Sequence, residues 1–302
     1  MGAAARLDYL PAERSFLEPD RPDAGRPEVA RAVVIPFGLE ATVSYGAGTA
    51  KGPAAILAAS HQLELYDEEL GREPCADFGI AAIAEPDIAR PVAAALDQLE
   101  AIVETVVAAN RFPLVLGGEH ALTIGAVRPL VRRHPDLVIL QFDAHADLRD
   151  GYQGEHNSHA AAMRRVLDHP GVTLVSVGVR AISAAEAAFL ESSRSRIQVH
   201  WAKDQARWAL KDIVAPLAGR PVYVSFDIDA LDGAIMPATG TPTPGGLGYW
   251  QALAILRRAA EVSRIVAADL VELAPIPGLH VCDYTAAALA YKIMSYALAG
   301  AR

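Results

Sequence analysis

Cysteine is scarce in this chain. Only Cys75 and Cys282 occur among its 302 residues, far apart and outside any Cys-x-x-Cys pair. A disulfide framework and a cysteine-pair redox motif are therefore excluded. We expect a protein of a reducing compartment, the cytoplasm.

Long apolar runs are also missing. No stretch reaches the ~18 consecutive apolar residues that a membrane-spanning helix needs. Residues 1–16 contain no apolar signal core. We therefore expect no membrane partner.

Positive charge is in deficit. Lys and Arg number 27 against 36 Asp and Glu, which gives a formal net charge of −9. A general nucleic-acid-binding protein would show a basic patch, so we expect no nucleic-acid partner. The acidic balance mildly favours cationic ligands.

The composition that remains is that of an ordinary globular protein, with 52% hydrophobic and 21% charged residues. Residues 1–30 combine several prolines with charged residues, which predicts an extended N-terminal arm. From residue 31 onward apolar strands alternate with helical patterns, and we predict one catalytic domain over 31–302. The predicted strands are 32–36, 113–116, 137–142, 172–177, 197–200, 222–226 and 265–271.

Most of these strands are continuous apolar runs, which is typical of a parallel sheet covered on both faces. Leu96, Leu99, Val103 and Val106 recur at helical spacing between two of them, and 287–298 reads as a buried helix. The alternation predicts an α/β fold, a three-layer α/β/α sandwich with a mostly parallel sheet.

Acidic and histidine-bearing motifs follow four of the predicted strands. They are GGEHA (117–121), DAHAD (143–147), FDIDALD (226–232) and VELAP (271–275). Ligands of open α/β sheets bind at the carboxyl ends of the strands. Four such motifs at one edge therefore indicate a functional site.

The spacing of the aspartates favours a metal site. An isolated acid after a strand is more often a helix cap or a solvated loop charge, and Asp232 fits that description. Asp143, Asp147, Asp227 and Asp229, in contrast, would crowd one face beside apolar strands. Carboxylates that lose water repel one another or take up protons, and divalent cations remove that conflict.

The donor atoms indicate which metal. Four aspartates with His120 and His145 form an oxygen-rich shell without sulfur, which suits Mn²⁺ or Mg²⁺, and the imidazoles favour a transition ion. Two ions ~3.5–4 Å apart would use all six side chains and could activate a water. We predict binuclear Mn²⁺, with Zn²⁺, Co²⁺, Fe²⁺ or Ni²⁺ as alternatives.

Charge counting points to a small cationic substrate. Four carboxylates, two divalent ions and a hydroxide sum to −1, and Glu272 adds a further negative charge. A phosphoester hydrolase would need a cationic clamp, which makes a two-metal phosphatase the weaker hypothesis.

With these motifs in order, the chain resembles the ureohydrolases, the arginase–agmatinase superfamily. The resemblance rests on GGEH, DAHAD, SFDIDALD with PATGTPTPGG (237–246), and the Glu of VELAP. The segment 42–56, TVSYGAGTAKGPAAI, is similar to bacterial agmatinases in particular. One departure is Glu119, at a position where Asp is frequent.

The resemblance implies a ligand set and three catalytic roles. One Mn²⁺ would be bound by His120 and Asp147 and the other by His145 and Asp229, with Asp143 and Asp227 bridging. Glu272 would hold the guanidinium, Asp147 would accept the proton of the nucleophile, and His159 would protonate the departing amine. His156, three residues before His159, is the competing histidine.

Agmatine, cleaved to putrescine and urea, is therefore the first expected substrate, and an arginase or guanidinobutyrase activity is the alternative. An inactive scaffold with a regulatory or metal-binding role is a further, weaker possibility. The family implies a homo-oligomer, a trimer or a hexamer.

Overall fold

A computed structural model describes residues 5–299 of the chain. Its centre is an eight-stranded sheet in which every neighbouring pair is parallel. The strand order is β2-β1-β3-β8-β7-β4-β5-β6. The strands are β1 (Ala32–Phe37), β2 (Ile80–Ala82), β3 (Phe112–Gly117), β4 (Val138–Phe142), β5 (Thr173–Val177), β6 (Ile197–His200), β7 (Pro221–Asp227) and β8 (Arg264–Val271).

Helices cover both faces of the sheet. They are α1 (Gly52–Ser60), α2 (Cys75–Phe78), α3 (Val92–Ala108), α4 (Thr123–Arg133), α5 (Ala162–Val166), α6 (Ala184–Ser192), α7 (Leu210–Val214), α8 (Tyr249–Val262) and α9 (His280–Ala299). No helix within residues 5–299 combines the length and hydrophobicity that crossing a membrane requires.

The alternating side chains of each strand build two cores. In β1, Val33 and Ile35 belong to the core under α3, α4 and α5, whereas Ala32 and Val34 belong to the core under α1, α8 and α9. Strands buried on both faces explain the continuous apolar runs. The three-layer architecture predicted from the sequence is confirmed.

Two details differ from the sequence prediction. The strand β2 was not predicted, because three residues are too few to produce a recognisable pattern. The segment predicted as an extended arm has one short 3-10 turn, Ala12–Arg14, after which Phe16 and Leu17 are buried in the main core. Residues 1–4 of the predicted arm and 300–302 of the predicted domain lie outside the described residues.

Candidate active site

The four strands that carry the acidic motifs are neighbours in the middle of the sheet, in the order β3-β8-β7-β4. The residues at or next to their carboxyl ends are in register: Leu116 pairs with Leu270, Leu270 with Phe226, and Phe226 with Phe142. The rings of Phe142 and Phe226 stack with centroids 4.7 Å apart. The next residues of each chain segment therefore emerge side by side.

The first group of possible metal ligands contains His120, Asp143 and Asp147, all buried. His120 Nδ1 lies 3.1 Å from Asp143 Oδ2, 3.0 Å from Asp147 Oδ2 and 3.5 Å from Asp227 Oδ2. Among the described residues this nitrogen has no hydrogen-bond partner. A buried nitrogen that faces three carboxylates without a hydrogen-bond partner calls for an explanation, and a bound cation would provide one.

The second group consists of Asp143, His145 and Asp229. His145 Nδ1 lies 3.0 Å from Asp229 Oδ2 and 3.5 Å from Asp143 Oδ1. Asp143 therefore directs Oδ2 toward the first group and Oδ1 toward the second. The fold thus brings together all of the side chains that the sequence predicted as metal ligands: His120, Asp143, His145, Asp147, Asp227 and Asp229.

The ring of His120 is oriented by a buried relay. His120 Nε2 is 2.8 Å from Ser225 Oγ, and that hydroxyl donates to Asp269 Oδ1 at 2.8 Å. Because the only hydroxyl hydrogen of Ser225 goes to Asp269, the proton on the ring must sit on Nε2. In the neutral ring, Nδ1 then carries the lone pair that a metal ligand needs.

Backbone hydrogen bonds hold the carboxylates. Asp143 accepts the N–H of His145 at 2.6 Å, Asp227 accepts that of Asp229 at 2.8 Å, and Asp229 accepts that of Ala144 at 3.0 Å. These bonds restrain the side chains of Asp143, Asp227 and Asp229. Metal ligands that are held rigidly in place favour tight and selective metal binding.

Crowding shifts the titration of these groups. Burial, and then repulsion by Asp143, raise the pKa of Asp147 to about 7. Burial also raises the pKa of Glu272 to about 8. Burial lowers the pKa of His145, but its hydrogen bonds to Asp143 and Asp229 outweigh this and bring it to about 12. Nitrogen and oxygen donors packed this closely fit divalent cations, which would relieve the repulsion.

Two of the predicted residues have strained backbones. Asp147 and Glu272 have φ values of 52° and 65°, in the left-handed region that non-glycine residues rarely adopt. Backbone strain of this kind persists where the surrounding structure fixes it and clusters at functional sites. Here Gly118 O accepts the N–H of Glu272 at 2.8 Å.

Gly118 also permits a close approach of two segments. A Cβ at this position would lie 2.1 Å from the carbonyl oxygen of Leu39. Glycine is therefore required where the loop after β1 crosses the end of β3.

A cavity of about 310 Å³ opens beside both ligand groups. Its lining includes Asp147, His159 and Glu272, so the fold places the three predicted catalytic side chains at one cavity. Burial lowers the pKa of His159 to about 4. The competing histidine, His156, is exposed, and its Nδ1 lies 2.8 Å from Nη1 of Arg165.

Sequence reasoning missed the residues that support this site. Ser225 and Asp269 lie inside strands that were predicted from their apolar residues, and Thr42 lies in a loop. The signal that was available is polarity in buried positions, since Ser225 and Asp269 interrupt the apolar runs of β7 and β8.

Residues 30–299 match the Arginase family. The chain belongs to this family. The N(1)-aminopropylagmatine ureohydrolase of Synechocystis is 39% identical over 280 residues, which cover 88% of this chain and 89% of that protein. The agmatinase of Bacillus subtilis is 35% identical over 260 residues, with 84% and 87% covered.

Among solved structures, the agmatine ureohydrolase of Thermoplasma volcanium superposes with a TM-score of 0.80 at 29% identity. The match covers 89% of this chain and 90% of that one. The Arginase-family chain is thus a hydrolase of the agmatinase-related ureohydrolases, and its His and Asp cluster is able to bind metal.

Proposed function

We propose that the chain hydrolyses the guanidinium group of agmatine to putrescine and urea, with two Mn²⁺ ions per subunit. The observation that carries the proposal is Asp143, which is shared by two ligand groups beside a cavity that also presents Glu272 and His159. A cation pair next to a carboxylate and a neutral histidine suits the hydrolysis of a cationic, poorly electrophilic carbon.

His120 and Asp147 would hold one ion, His145 and Asp229 the other, and Asp143 and Asp227 would bridge them. When bound, such a pair lowers the pKa of a water molecule so that hydroxide is available near neutral pH. The carboxylate and imidazole donors support Mn²⁺ as the metal.

The protein groups around the ions have separate roles. Glu272 orients the guanidinium through a charge-assisted hydrogen bond. Asp147 accepts a proton from the nucleophile. His159 protonates the departing nitrogen, because an unprotonated amine anion is a poor leaving group.

The charge of the cavity supports a cationic substrate. Its described lining carries five carboxylate side chains and a single arginine, Arg149. The Arg149 guanidinium lies 4.8 Å from the centroid of the Tyr152 ring, and its Nε is 3.9 Å from Oε2 of Glu186. With its charge already matched by Glu186, Arg149 offers little to a substrate carboxylate, which argues against arginine and guanidinobutyrate.

A second candidate substrate is N(1)-aminopropylagmatine. The relative from Synechocystis that carries this name is 39% identical. At the cavity, Tyr45 is 85% exposed, so its ring is available to a long polyamine tail that extends outward.

Urea release after Mn²⁺ loading tests the proposal. Agmatine, N(1)-aminopropylagmatine, arginine and guanidinobutyrate are compared by kcat/KM, and we expect agmatine to rank first. Higher kcat/KM for N(1)-aminopropylagmatine would favour the second candidate. No urea from any of the four, in a sample shown to contain two ions per chain, would overturn the assignment.

Two variants test the residue roles. We expect Asp147→Ala to lose metal and turnover together, and His159→Asn to lose turnover while keeping both ions. Wild-type rates in either variant would remove that residue from the mechanism.

We also propose that the protein is cytoplasmic and forms a homo-oligomer, either a trimer or a hexamer. Each subunit would consist of an N-terminal arm (residues 1–30) and one catalytic domain (31–302). The support is the family resemblance and the scarcity of cysteine. Light scattering of the purified protein measures the number of subunits, and a monomer would contradict the proposal.

A further inference from the structure

The side chain of Thr42 connects two residues that lie far apart in the sequence. Its Oγ1 is 2.9 Å from Glu119 Oε1 and 3.0 Å from His159 Nδ1. The same oxygen accepts the backbone N–H of His159 at 3.0 Å. Thr42 therefore contacts both the ring and the backbone of the histidine at the cavity.

Glu119 is a fully buried acceptor in this arrangement. Its Oε2 accepts the backbone N–H groups of Ala41 at 2.7 Å and Thr42 at 2.6 Å. Its Oε1 faces the Thr42 hydroxyl, and a carboxylate has no hydrogen to donate. The single hydroxyl hydrogen of Thr42 is therefore directed to Glu119.

This direction determines what the histidine ring can do. With its hydrogen committed to Glu119, Thr42 Oγ1 can only accept from Nδ1, so Nδ1 must carry the ring proton. Ser158 Oγ is more distant from Nδ1, at 3.4 Å. Nε2 then has a free lone pair, and among the described residues no protein group hydrogen-bonds to it.

We propose that Thr42, oriented by Glu119, fixes the Nδ1–H tautomer of His159 and that both are positioning residues for proton transfer. The inference rests on the proposed function, in which Nε2 of His159 carries the transferred proton. When the C–N bond breaks, its electron pair stays on the amine nitrogen, which takes the proton from Nε2. The imidazole returns to the neutral Nδ1–H form, ready to accept a proton again at Nε2.

The opposite tautomer would fail in this cycle. A neutral ring with its proton on Nε2 has no lone pair toward the cavity and cannot accept a proton there. The relay also favours the charged ring, because Nδ1–H keeps its acceptor and the dipole of Thr42 points toward a carboxylate.

Three variants separate positioning from folding. Thr42→Val removes the hydroxyl at nearly constant shape, and we expect kcat to fall ~10-fold or more while KM changes less than ~3-fold. Thr42→Ser restores the hydroxyl and should recover most of the rate. Thr173→Val is the matched control, because within the described residues the Thr173 hydroxyl is buried without a partner. Metal content and thermal midpoint are measured for each.

The tautomer is read directly by two-bond ¹H–¹⁵N correlation spectra of histidine-labelled protein loaded with diamagnetic Zn²⁺. The His159 signals are assigned by their loss in His159→Gln. We expect a protonated Nδ1 in the wild type and a mixed or reversed tautomer in Thr42→Val. Glu119→Gln, whose amide can donate to Thr42, should shift the ring toward Nε2–H.

A wild-type His159 with its proton on Nε2 would overturn the proposal, as would a Thr42→Val protein with unchanged tautomer and kcat. These outcomes differ from a failure of the proposed function. If the wild type releases no urea from any guanidine, the proposed role of Nε2 in the reaction fails, whereas the tautomer measurement still tests the relay itself.

Discussion

Oε1 of Glu272 accepts the backbone N–H of His120 at 2.7 Å, although the two residues are 152 positions apart. In return, the N–H of Glu272 donates to Gly118 O at 2.8 Å. These two hydrogen bonds connect the end of β8 to the end of β3. One carboxylate oxygen of Glu272 is thereby fixed, and the other is left to face the cavity.

Glu272→Gln tests whether one oxygen of Glu272 holds the His120 backbone while the other binds the guanidinium. The amide oxygen can still accept from His120, but the NH₂ group would face the donors of a guanidinium. We expect kcat/KM to fall ~10- to 100-fold, the usual size of a lost charged hydrogen bond, with both ions retained. Urea assays and metal analysis check this, and Glu191→Gln, an exposed acid at the end of α6, is the control. Unchanged kcat/KM would refute the role.

Ser225→Ala breaks the relay from Asp269 to His120. Without the hydroxyl, Nε2 of His120 loses its acceptor and the ring loses its fixed tautomer. We expect the metal affinity to weaken ~10- to 100-fold, measured by competition with a chelating dye. Ser295→Ala removes another buried serine, one bonded to Tyr291 O in α9, and should leave the affinity unchanged. Equal affinities in the two variants would contradict the relay.

Metal binding should depend on pH. The pKa of Asp147 is raised to about 7, so this side chain is protonated below that pH and the ion must displace the proton. Affinity should therefore weaken as pH falls below about 7, and the number of protons released on binding should increase over the same range. Calorimetry in two buffers of different ionisation enthalpy measures the released protons. Affinity that is flat between pH 8 and pH 6 would be incompatible with the shift.

The ion pairs between α3 and α4 give a prediction for stability. Hydrogen bonds from Arg133 and Arg132 lower the pKa of Glu104 from 4.5 to about 2. A carboxylate with a lowered pKa contributes stability above its unfolded value and loses it as pH falls toward the folded value. Because the pair is partly exposed, Glu104→Gln should cost less than ~1 kcal/mol at neutral pH.

Urea unfolding at several pH values checks this. The difference in unfolding free energy between the wild type and Glu104→Gln should shrink as pH falls from about 4.5 to about 2. A difference that grows over this range would have the wrong sign.

The sequence predicted most of the fold because the strands of a parallel sheet are buried on both faces and read as apolar runs. Seven of the eight strands were predicted, and β2, with three residues, was too short. The ends of β3, β4, β7 and β8 were predicted to converge, since motifs that follow parallel strands emerge at one edge. The site residues at these ends are close together for that reason.

What the sequence determined by itself is the set of chemical groups and the sheet edge to which they belong. The alternation of strands and helices, the apolar runs and the motif spacing are local properties, and they can be recognised in the sequence alone. What only the tertiary structure decided is which ring nitrogen of His120 and of His159 carries the proton in the neutral form. Thr42 with Glu119, and Ser225 with Asp269, set this through hydrogen bonds whose partners are distant in sequence. Hydrogen-bond direction depends on distances of about 3 Å between such residues, and no local pattern encodes it.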